Sequence, residues 1–207
     1  ENDAPSRNIS RYLDSLADRL KIGLDVRQIW RTDRFQRGGD HIPFLQLGYP
    51  AARITVAIEN YNWQHQDVRV ESGVHYGDTI DHVDFPYLAK MTKLNVAALA
   101  AIASAPPPPK PKVEGGVSTD TTVTWPCVPS AAGYMVRWRR TDANQWQESS
   151  TADNSCTNGF AQVHLPHIRV DDWVFGVSSV SKDGFESPVA SAVPGGAFRP
   201  YVAPAKK

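Results

Sequence analysis

The spacing of apolar residues changes along the chain, and it predicts helices and strands in the first half and strands alone in the second. Apolar side chains recur every three or four residues over residues 1–21 and again over residues 84–104, which predicts two amphipathic helices. Residues 24–30 alternate between apolar and polar, as a half-buried strand does. Residues 52–58 are nearly all apolar and rich in β-branched residues, which predicts a strand buried on both faces.

The segments between these elements complete the order helix, strand, short helix, strand, loop and helix. Residues 31–39 are polar and end in two glycines, and residues 59–79 form a long polar loop. Asp40 can cap a short helix that Gly48 stops. This order implies parallel strands joined by crossovers, as in an α/β domain. Two strands alone do not make a sheet in which an apolar strand is buried on both faces. We therefore expect residues 1–104 to be the C-terminal part of a larger α/β domain, with the missing strands supplied by another segment.

A run of prolines at residues 105–112 marks a domain boundary, because such a run forms an extended, semi-rigid linker. Beyond it, residues 113–197 show short alternating strand patterns separated by turn residues, without a helical stretch. Six or seven such strands predict an all-β sandwich of the immunoglobulin-like kind. Residues 198–207 are expected to form a tail.

The charges of the chain balance, with 22 basic and 22 acidic residues, so net charge gives no reason to expect nucleic acid or an anionic membrane surface as a partner. Apolar residues make up 41% of the chain, which is enough for substantial cores. The sequence contains no apolar run of the length that spans a membrane. The segment Glu1-Asn-Asp-Ala-Pro5 does not read as a signal peptide, so for an exported protein we expect the signal upstream of it.

Both cysteines, Cys127 and Cys156, lie in the predicted β-sandwich. Two cysteines in one small β-rich module indicate a single disulfide and an oxidising compartment. The alternative is a pair of unpaired buried thiols. The disulfide interpretation agrees with a secreted or periplasmic location.

The second domain resembles a fibronectin type III module in three segments. Thr122-Val-Thr-Trp125 looks like the second strand of such a module, and Gly133-Tyr-Met-Val-Arg-Trp138 looks like the third. Residues 173–188 match best, and the alternate residues from Trp173 to Val177 are expected to point into the core. The resemblance implies a binding or spacer module without catalysis.

Three segments of the first domain resemble the secreted zinc aminopeptidase family, which also includes glutaminyl cyclases and glutamate carboxypeptidases. Arg37-Gly-Gly-Asp-His-Ile-Pro-Phe44 looks like the acid-His-x-Pro-Phe loop of the family. Leu47-Gly-Tyr-Pro-Ala51 looks like the strand entry that follows, and Asp78-Thr-Ile-Asp-His-Val-Asp84 looks like the closing segment. The resemblance implies a three-layer αβα fold, peptide substrates, and two zinc ions bridged by an aspartate and a water.

The zinc ligands of this family are spread along its chain, and only the last of them, a histidine, can lie in this sequence. The His-x-Asp pair, the Glu-Glu pair and a further aspartate have no counterparts upstream of Arg37. One ligand cannot hold zinc, because a catalytic site usually needs three protein ligands and an open position. The resemblance therefore implies that this chain holds no catalytic residue and is inactive alone. It also implies a partner segment, from the N-terminal part of the same precursor, that carries the other ligands.

Two histidines are candidates for that last zinc ligand. His65 ends the string Tyr61-Asn-Trp-Gln-His65 and is followed by an acid, which resembles the ligand segment of the family. His75 lies three residues before Asp78, where the family suggests four. We favour His65 and keep His75 as the alternative, and either could instead be an ordinary surface histidine.

Three more residues are candidates for the substrate pocket. In the family, the acid at the position of Asp40 lines the pocket, where it could accept a hydrogen bond from the ammonium group of a substrate. Asp40 could equally cap the helix that follows it. We expect His41 to be a hydrogen-bonded structural residue, and Trp63 to be either a pocket wall or an anchor for its loop.

The function predicted from these resemblances is hydrolysis of N-terminal residues from peptides, by part of an exported zinc aminopeptidase. A glutaminyl cyclase of the same fold is one alternative, because the string Asp40-His-Ile-Pro-Phe-Leu45 would suit it. A non-catalytic binding protein that acts through the fibronectin-like module is the other.

Overall fold

The computed structural model describes residues 3–29 and 38–194. The predicted tail at residues 198–207 and the loop residues 31–37 lie outside this part. The chain divides into two compact units, one comprising Glu1–Tyr12 with Ala100–Lys207 and the other comprising Leu13–Leu99. Residues 3–12 therefore group with the sequence from Ala100 onward, although the sequence pattern placed them in the α/β domain.

The part of the chain that the structure describes forms three α-helices at the predicted places: α1 at Pro5–Arg19, α2 at His41–Gln46 and α3 at Phe85–Ser104. The Asp84 carboxylate caps α3, because its Oδ1 accepts a hydrogen bond from the Tyr87 backbone N–H at 2.9 Å. Gly48 follows α2 with a φ of 83°, a left-handed conformation that ends the helix. Among the described residues, none of the helices combines the length and apolarity needed to cross a bilayer.

A small hairpin lies within the long loop predicted at residues 59–79. Strand β1, at Arg69–Glu71, pairs antiparallel with β2, at Val74–Tyr76. Ser72 and Gly73 connect them with φ values of 50° and 79°, the two positive angles of a type I′ turn. The short Ser-Gly pair between two three-residue strands is the sequence signal of this hairpin.

The strands predicted at residues 24–30 and 52–58 are wrong for the part of the chain that the structure describes, where residues 24–29 and 52–58 form no strand. The parallel sheet and the αβα layers of the predicted α/β domain are likewise not formed by the described residues. The physical reason is that a strand must pair its N–H and C=O groups with neighbouring strands. The sequence pattern of residues 52–58 is that of a central strand, but no described segment pairs with it.

The all-β sandwich predicted for the second domain is confirmed. One sheet has the strand order β10-β3-β4-β7, and the other has the order β6-β5-β8-β9. β10 pairs parallel to β3, and the other neighbours within the two sheets are antiparallel. The strands are β3 (Lys112–Glu114), β4 (Thr121–Pro126), β5 (Gly133–Arg140), β6 (Glu148–Asp153), β7 (Phe160–Leu165), β8 (Trp173–Val180), β9 (Ala190–Ser191) and β10 (Val193–Pro194).

The core of the sandwich is built from alternate residues of the two sheets. Trp125 of β4 and Tyr134 of β5 meet edge to face, with ring centroids 5.1 Å apart. The Tyr134 hydroxyl donates to Asn154 Oδ1 at 3.0 Å and accepts a hydrogen bond from the Val128 backbone N–H at 2.7 Å. Other core side chains are Val113, Val123, Val136, Trp138, Phe175 and Val177.

Cys127 and Cys156 are joined in a disulfide. The bridge closes a loop across 29 residues of sequence. Because closing a loop restricts the unfolded chain, this bridge stabilises the sandwich.

Candidate functional site

Residues 38–41, which include the candidate residues Asp40 and His41, lie at the start of α2 and contact Arg53. The Arg53 Nη1 donates a hydrogen bond to the Gly38 carbonyl at 3.0 Å. A Cβ on Gly39 would lie 3.0 Å from His41 Nδ1 and 3.4 Å from Arg53 Cδ, so glycine allows a close approach here. Gly39 thus lets the backbone pass directly beside the side chain of His41.

Asp40 is exposed and precedes α2, but its side chain makes no capping hydrogen bond to that helix. The capping role considered for Asp40 is therefore not seen. His41 is half-buried, and its Nδ1 is buried without a hydrogen-bond partner in the described part of the chain. The hydrogen bond predicted for His41 is not found at this nitrogen, because the ring is packed beside Gly39 instead.

Trp63 stacks on His82, with ring centroids 4.1 Å apart and an interplanar angle of 11°. His82 belongs to the short 3₁₀ turn Ile80–His82 that precedes α3. The Asn62 carbonyl, next to Trp63, accepts a hydrogen bond from the Gly77 backbone N–H at 2.9 Å. These two contacts tie the loop of Trp63 to the segments that follow the hairpin. The stack agrees with an anchoring role for Trp63, while its 38% exposure leaves part of the ring available as a wall.

His65 lies two residues beyond Trp63, is exposed, and has a φ of 55°. Positive φ is uncommon outside glycine, and it places the His65 side chain in a direction that an extended loop would not give. Gln64, the residue before His65, and Thr55 form a local network around Glu59. Thr55 Oγ1 donates to Glu59 Oε1 at 2.9 Å, and Gln64 Nε2 donates to Glu59 Oε2 at 3.3 Å.

His75 occupies a different setting from His65. It lies in β2, opposite Val70 in the hairpin, and is exposed. Its backbone is therefore fixed by strand pairing. Of the two candidate zinc ligands, His65 therefore lies in a bend of the loop and His75 lies on a strand of the hairpin.

The described residues bring the predicted site together only in part. No hydrogen bond, ion pair or ring contact within residues 38–84 joins Asp40 or His41 to Trp63 or His65. Over the described part of the chain, no group of three or more histidine, cysteine, aspartate or glutamate side chains could hold a metal ion. The described side chains therefore do not form a complete metal site by themselves.

His82 is the residue near the site that sequence reasoning missed. Its place in Asp78-Thr-Ile-Asp-His82 gives no sign of an aromatic partner, because Trp63 lies 19 positions earlier in the chain. The stack follows from the hairpin, which folds the loop back on itself. No local sequence pattern would have identified it.

The chain is similar to proteins from several organisms. The chain is 40% identical over 204 residues to a protein named probable zinc metalloprotease from Leptosphaeria maculans, covering 94% of this chain and 45% of that protein. A protein of the same name from Pyrenophora tritici-repentis is 39% identical, with 94% of this chain and 40% of the relative covered. Another from Pyricularia oryzae is 34% identical, with 94% and 39% covered. The chain thus spans less than half the length of these curated relatives.

No family model matches the chain. Among solved structures, a fibronectin type III-like protein from Clostridium thermocellum covers 44% of this chain and 93% of its own, with 21% identity and a TM-score of 0.36. A fibronectin type III domain of human collagen XX covers 43% of this chain and 93% of its own, with 12% identity and a TM-score of 0.33.

Proposed function

We propose that this chain is the C-terminal part of an exported, zinc-dependent aminopeptidase, to which it contributes one zinc ligand and one wall of the peptide-binding pocket. Its similarity to proteins named probable zinc metalloprotease, over 94% of its length, supports the zinc-dependent hydrolysis of peptides. The exported location, secreted or periplasmic, is supported by the disulfide between Cys127 and Cys156.

The observation that carries this proposal is the exposure of residues 52–58. Ile54 is 37% exposed, Val56 is 41% exposed and Ile58 is 92% exposed, although the sequence is that of a strand with both faces buried. Exposed apolar side chains along this segment support its pairing, as a strand, with segments outside the described residues. We propose that the N-terminal part of the same precursor supplies those strands.

The proposed strand at residues 52–58 would also determine where His65, the candidate zinc ligand, lies. Residues 52–58 lead directly into Glu59 and the loop that carries Trp63 and His65. In open α/β sheets, ligands bind beyond the carboxyl ends of the strands. A strand completed at residues 52–58 would therefore deliver His65 to the edge of the sheet where such sites lie.

Each residue would have a distinct part in the reaction. Zinc, two ions per complete site, would lower the pKa of a bound water and polarise the carbonyl of the peptide. The imidazole of His65 would provide one nitrogen ligand, with His75 as the alternative. The carboxylate of Asp40 would accept a hydrogen bond from the N-terminal ammonium group of the peptide. Trp63, held by its stack on His82, would form a wall beside the scissile bond, with His41 at the pocket edge. The general base and the remaining ligands would belong to the upstream segment.

The ligand assignment is tested in the longer protein that contains both this chain and the upstream segment. We expect His65→Ala to lower the zinc content, measured by inductively coupled plasma mass spectrometry, and to reduce hydrolysis of aminoacyl anilides by more than about 100-fold. His75→Ala is the matched control and should leave both unchanged, since His75 lies in the hairpin. The 207-residue chain alone should be inactive.

Each other outcome has a definite meaning. Loss of zinc in His75→Ala but not in His65→Ala would transfer the role to His75. Full zinc content in both variants would overturn the assignment of a ligand to this chain. Aminopeptidase activity from the 207-residue chain would overturn the division of the site between two segments.

A second candidate function is that of a glutaminyl cyclase, favoured by the string Asp40-His-Ile-Pro-Phe-Leu45 at the start of α2. Assaying the longer protein with N-terminal glutamine peptides as well as aminoacyl anilides separates the two activities. If the chain instead belongs to a non-catalytic binding protein, the longer protein should contain no bound zinc.

A further inference from the structure

Part of the outward face of the β6-β5-β8-β9 sheet, along β5 and β8, is buried, although it is the face that an isolated sandwich presents to water, and the outward residues of β6 remain exposed. Val136 and Val177 lie opposite each other in the core, so the residues beside them, Arg137 and Gly176, point outward. Further along this face, Arg139 and Ser178 both have 0% exposure. A polar face that excludes water is covered by another part of the molecule.

Residues 3–12, which belong to the same compact unit as the sandwich, form one part of the cover. Side chains of the sandwich itself form the rest, with Trp146 beside Arg139 and Glu186 against Ser178. The Asp3 carboxylate forms an ion pair with the Arg139 guanidinium. Asn8 Nδ2 donates to Ser191 Oγ at 2.8 Å, and the Tyr12 hydroxyl donates to the Glu186 carbonyl at 3.2 Å. These contacts join positions 136 to 183 residues apart in the sequence.

Arg11 hydrogen-bonds both to the sandwich and to the N-terminal segment. Its Nε donates to the Asn144 carbonyl at 2.5 Å, and its Nη1 donates to Asn8 Oδ1 at 2.9 Å. Arg11 is 1% exposed and Asn8 is 2% exposed, so both hydrogen-bond pairs are shielded from water. Burial, together with the nearby charge of Arg139, lowers the pKa of Arg11 to about 10. Two buried guanidinium groups are costly, and their polar partners must be placed accurately to offset that cost.

A second ion pair completes the face. Arg137 donates from Nη2 to both carboxylate oxygens of Glu186 at 3.0 Å, and the Ser178 hydroxyl also donates to Glu186. Glu186 thus binds the sheet through its side chain and Tyr12 through its backbone carbonyl. The face is therefore a connected polar network and not a patch of incidental contacts.

We infer that the outward face of the β6-β5-β8-β9 sheet is a dedicated docking face whose occupant is the N-terminal segment of this same chain, residues 3–12. On this face the fibronectin-like module binds a segment of its own polypeptide. In an adhesion or spacer module, the same face would bind an external ligand or be exposed to solvent. This inference does not depend on the proposed peptidase function.

The test is hydrogen–deuterium exchange of the full chain, read by mass spectrometry over β8 and β9. Asn8→Lys places a third cation beside Arg11 and Arg139, and we expect it to increase exchange over β8 and β9 by about tenfold or more. Ser15→Lys adds the same charge to an exposed position of the same helix and should leave this exchange unchanged. Equal exchange in the two variants would overturn the inference.

Asn8→Lys could also unfold the whole module, and a milder pair of variants covers that outcome. Asn8→Ala and Ser191→Ala each remove one partner of the 2.8 Å hydrogen bond. If the two residues meet, the double variant should exchange no faster over β8 and β9 than the more affected single variant. Multiplying effects would show that the two side chains act independently, and would overturn the docking.

Discussion

Asp120 shows how a single side chain can hold two turns of the sandwich together. Its carboxylate accepts a hydrogen bond from the His167 backbone N–H at 2.9 Å and another from the Thr119 hydroxyl at 3.1 Å. It also lies 3.5 Å from the ring of His164. The hydrogen bond from His167 is the largest of the effects that lower the pKa of Asp120 below its usual 3.8. The charged carboxylate is thus favoured by the folded state.

This shift gives a pH dependence with a definite sign. Because the pKa is lower in the folded state, the ionised group stabilises the fold above pH 3.8, and this contribution is lost as the pH falls through the lowered pKa. We expect Asp120→Asn to have a lower Tm than the unmodified chain at pH 7, and the difference to shrink as the pH falls below 3.8. Thermal unfolding followed by circular dichroism, between pH 7 and pH 2.5, measures both.

Asp183→Asn is the control for Asp120→Asn, since it removes the same charge from an exposed turn of the sandwich. Its difference in Tm should not follow the same course with pH. A constant difference in Tm for Asp120→Asn across the whole range would contradict the assigned role of the carboxylate.

Among the elements, strand β8 depends on a residue without a side chain. A Cβ on Gly176 would lie 2.4 Å from Val189 Cγ1, 2.9 Å from Trp146 Cη2 and 3.0 Å from the Ala190 carbonyl oxygen. The first two contacts involve side chains, but the third involves the backbone of β9, which cannot move without breaking its pairing with β8. Glycine at position 176 is therefore a packing requirement of the sheet.

We expect Gly176→Ala to lower the free energy of unfolding by about 1–3 kcal/mol, because the added methyl group overpacks the face. Urea denaturation followed by tryptophan fluorescence measures the change. Gly116→Ala is the matched control, since a Cβ there meets nothing within 4 Å. If the two variants are equally stable, the face is more adaptable than the contacts of Gly176 indicate.

On the scale of the whole molecule, the two units differ in how completely they bury apolar side chains. The sandwich encloses a core that includes Trp125, Val136 and Val177, each with 0% exposure. The unit Leu13–Leu99 instead leaves many large apolar side chains open to solvent, including Leu47 at 76%, Ile80 at 71% and Ile58 at 92%. An apolar surface of this extent indicates an interaction site.

The proposed sheet completion predicts a change in protection at residues 52–58. In the 207-residue chain their amides should exchange rapidly, because no described strand pairs with them. In the longer protein with the upstream segment, we expect exchange at the same amides to slow by about 100-fold or more, as in the interior of a sheet. Hydrogen–deuterium exchange with mass spectrometry makes the comparison, with the amides of β4 as the internal control. Equal exchange in the two proteins would contradict the proposed strand.

The sequence by itself determined the elements that depend on neighbouring residues. Periodicity predicted α1 and α3, because a helix satisfies its backbone within a short stretch of chain. It also predicted most strands of the sandwich, because alternation along a strand shows which of its faces is buried. It also singled out Cys127 and Cys156 as a pair, since they are the two cysteines of the chain.

Only the tertiary structure decided the features that depend on distant partners. Residues 52–58 have the pattern of a buried strand but form none in the described chain, because pairing requires strands from elsewhere. The stack of Trp63 on His82 arises from the intervening hairpin. The pairing of Asp3 with Arg139 spans 136 positions. The local sequence pattern cannot show such a contact, because the burial of a charged side chain is decided by whichever segment covers it.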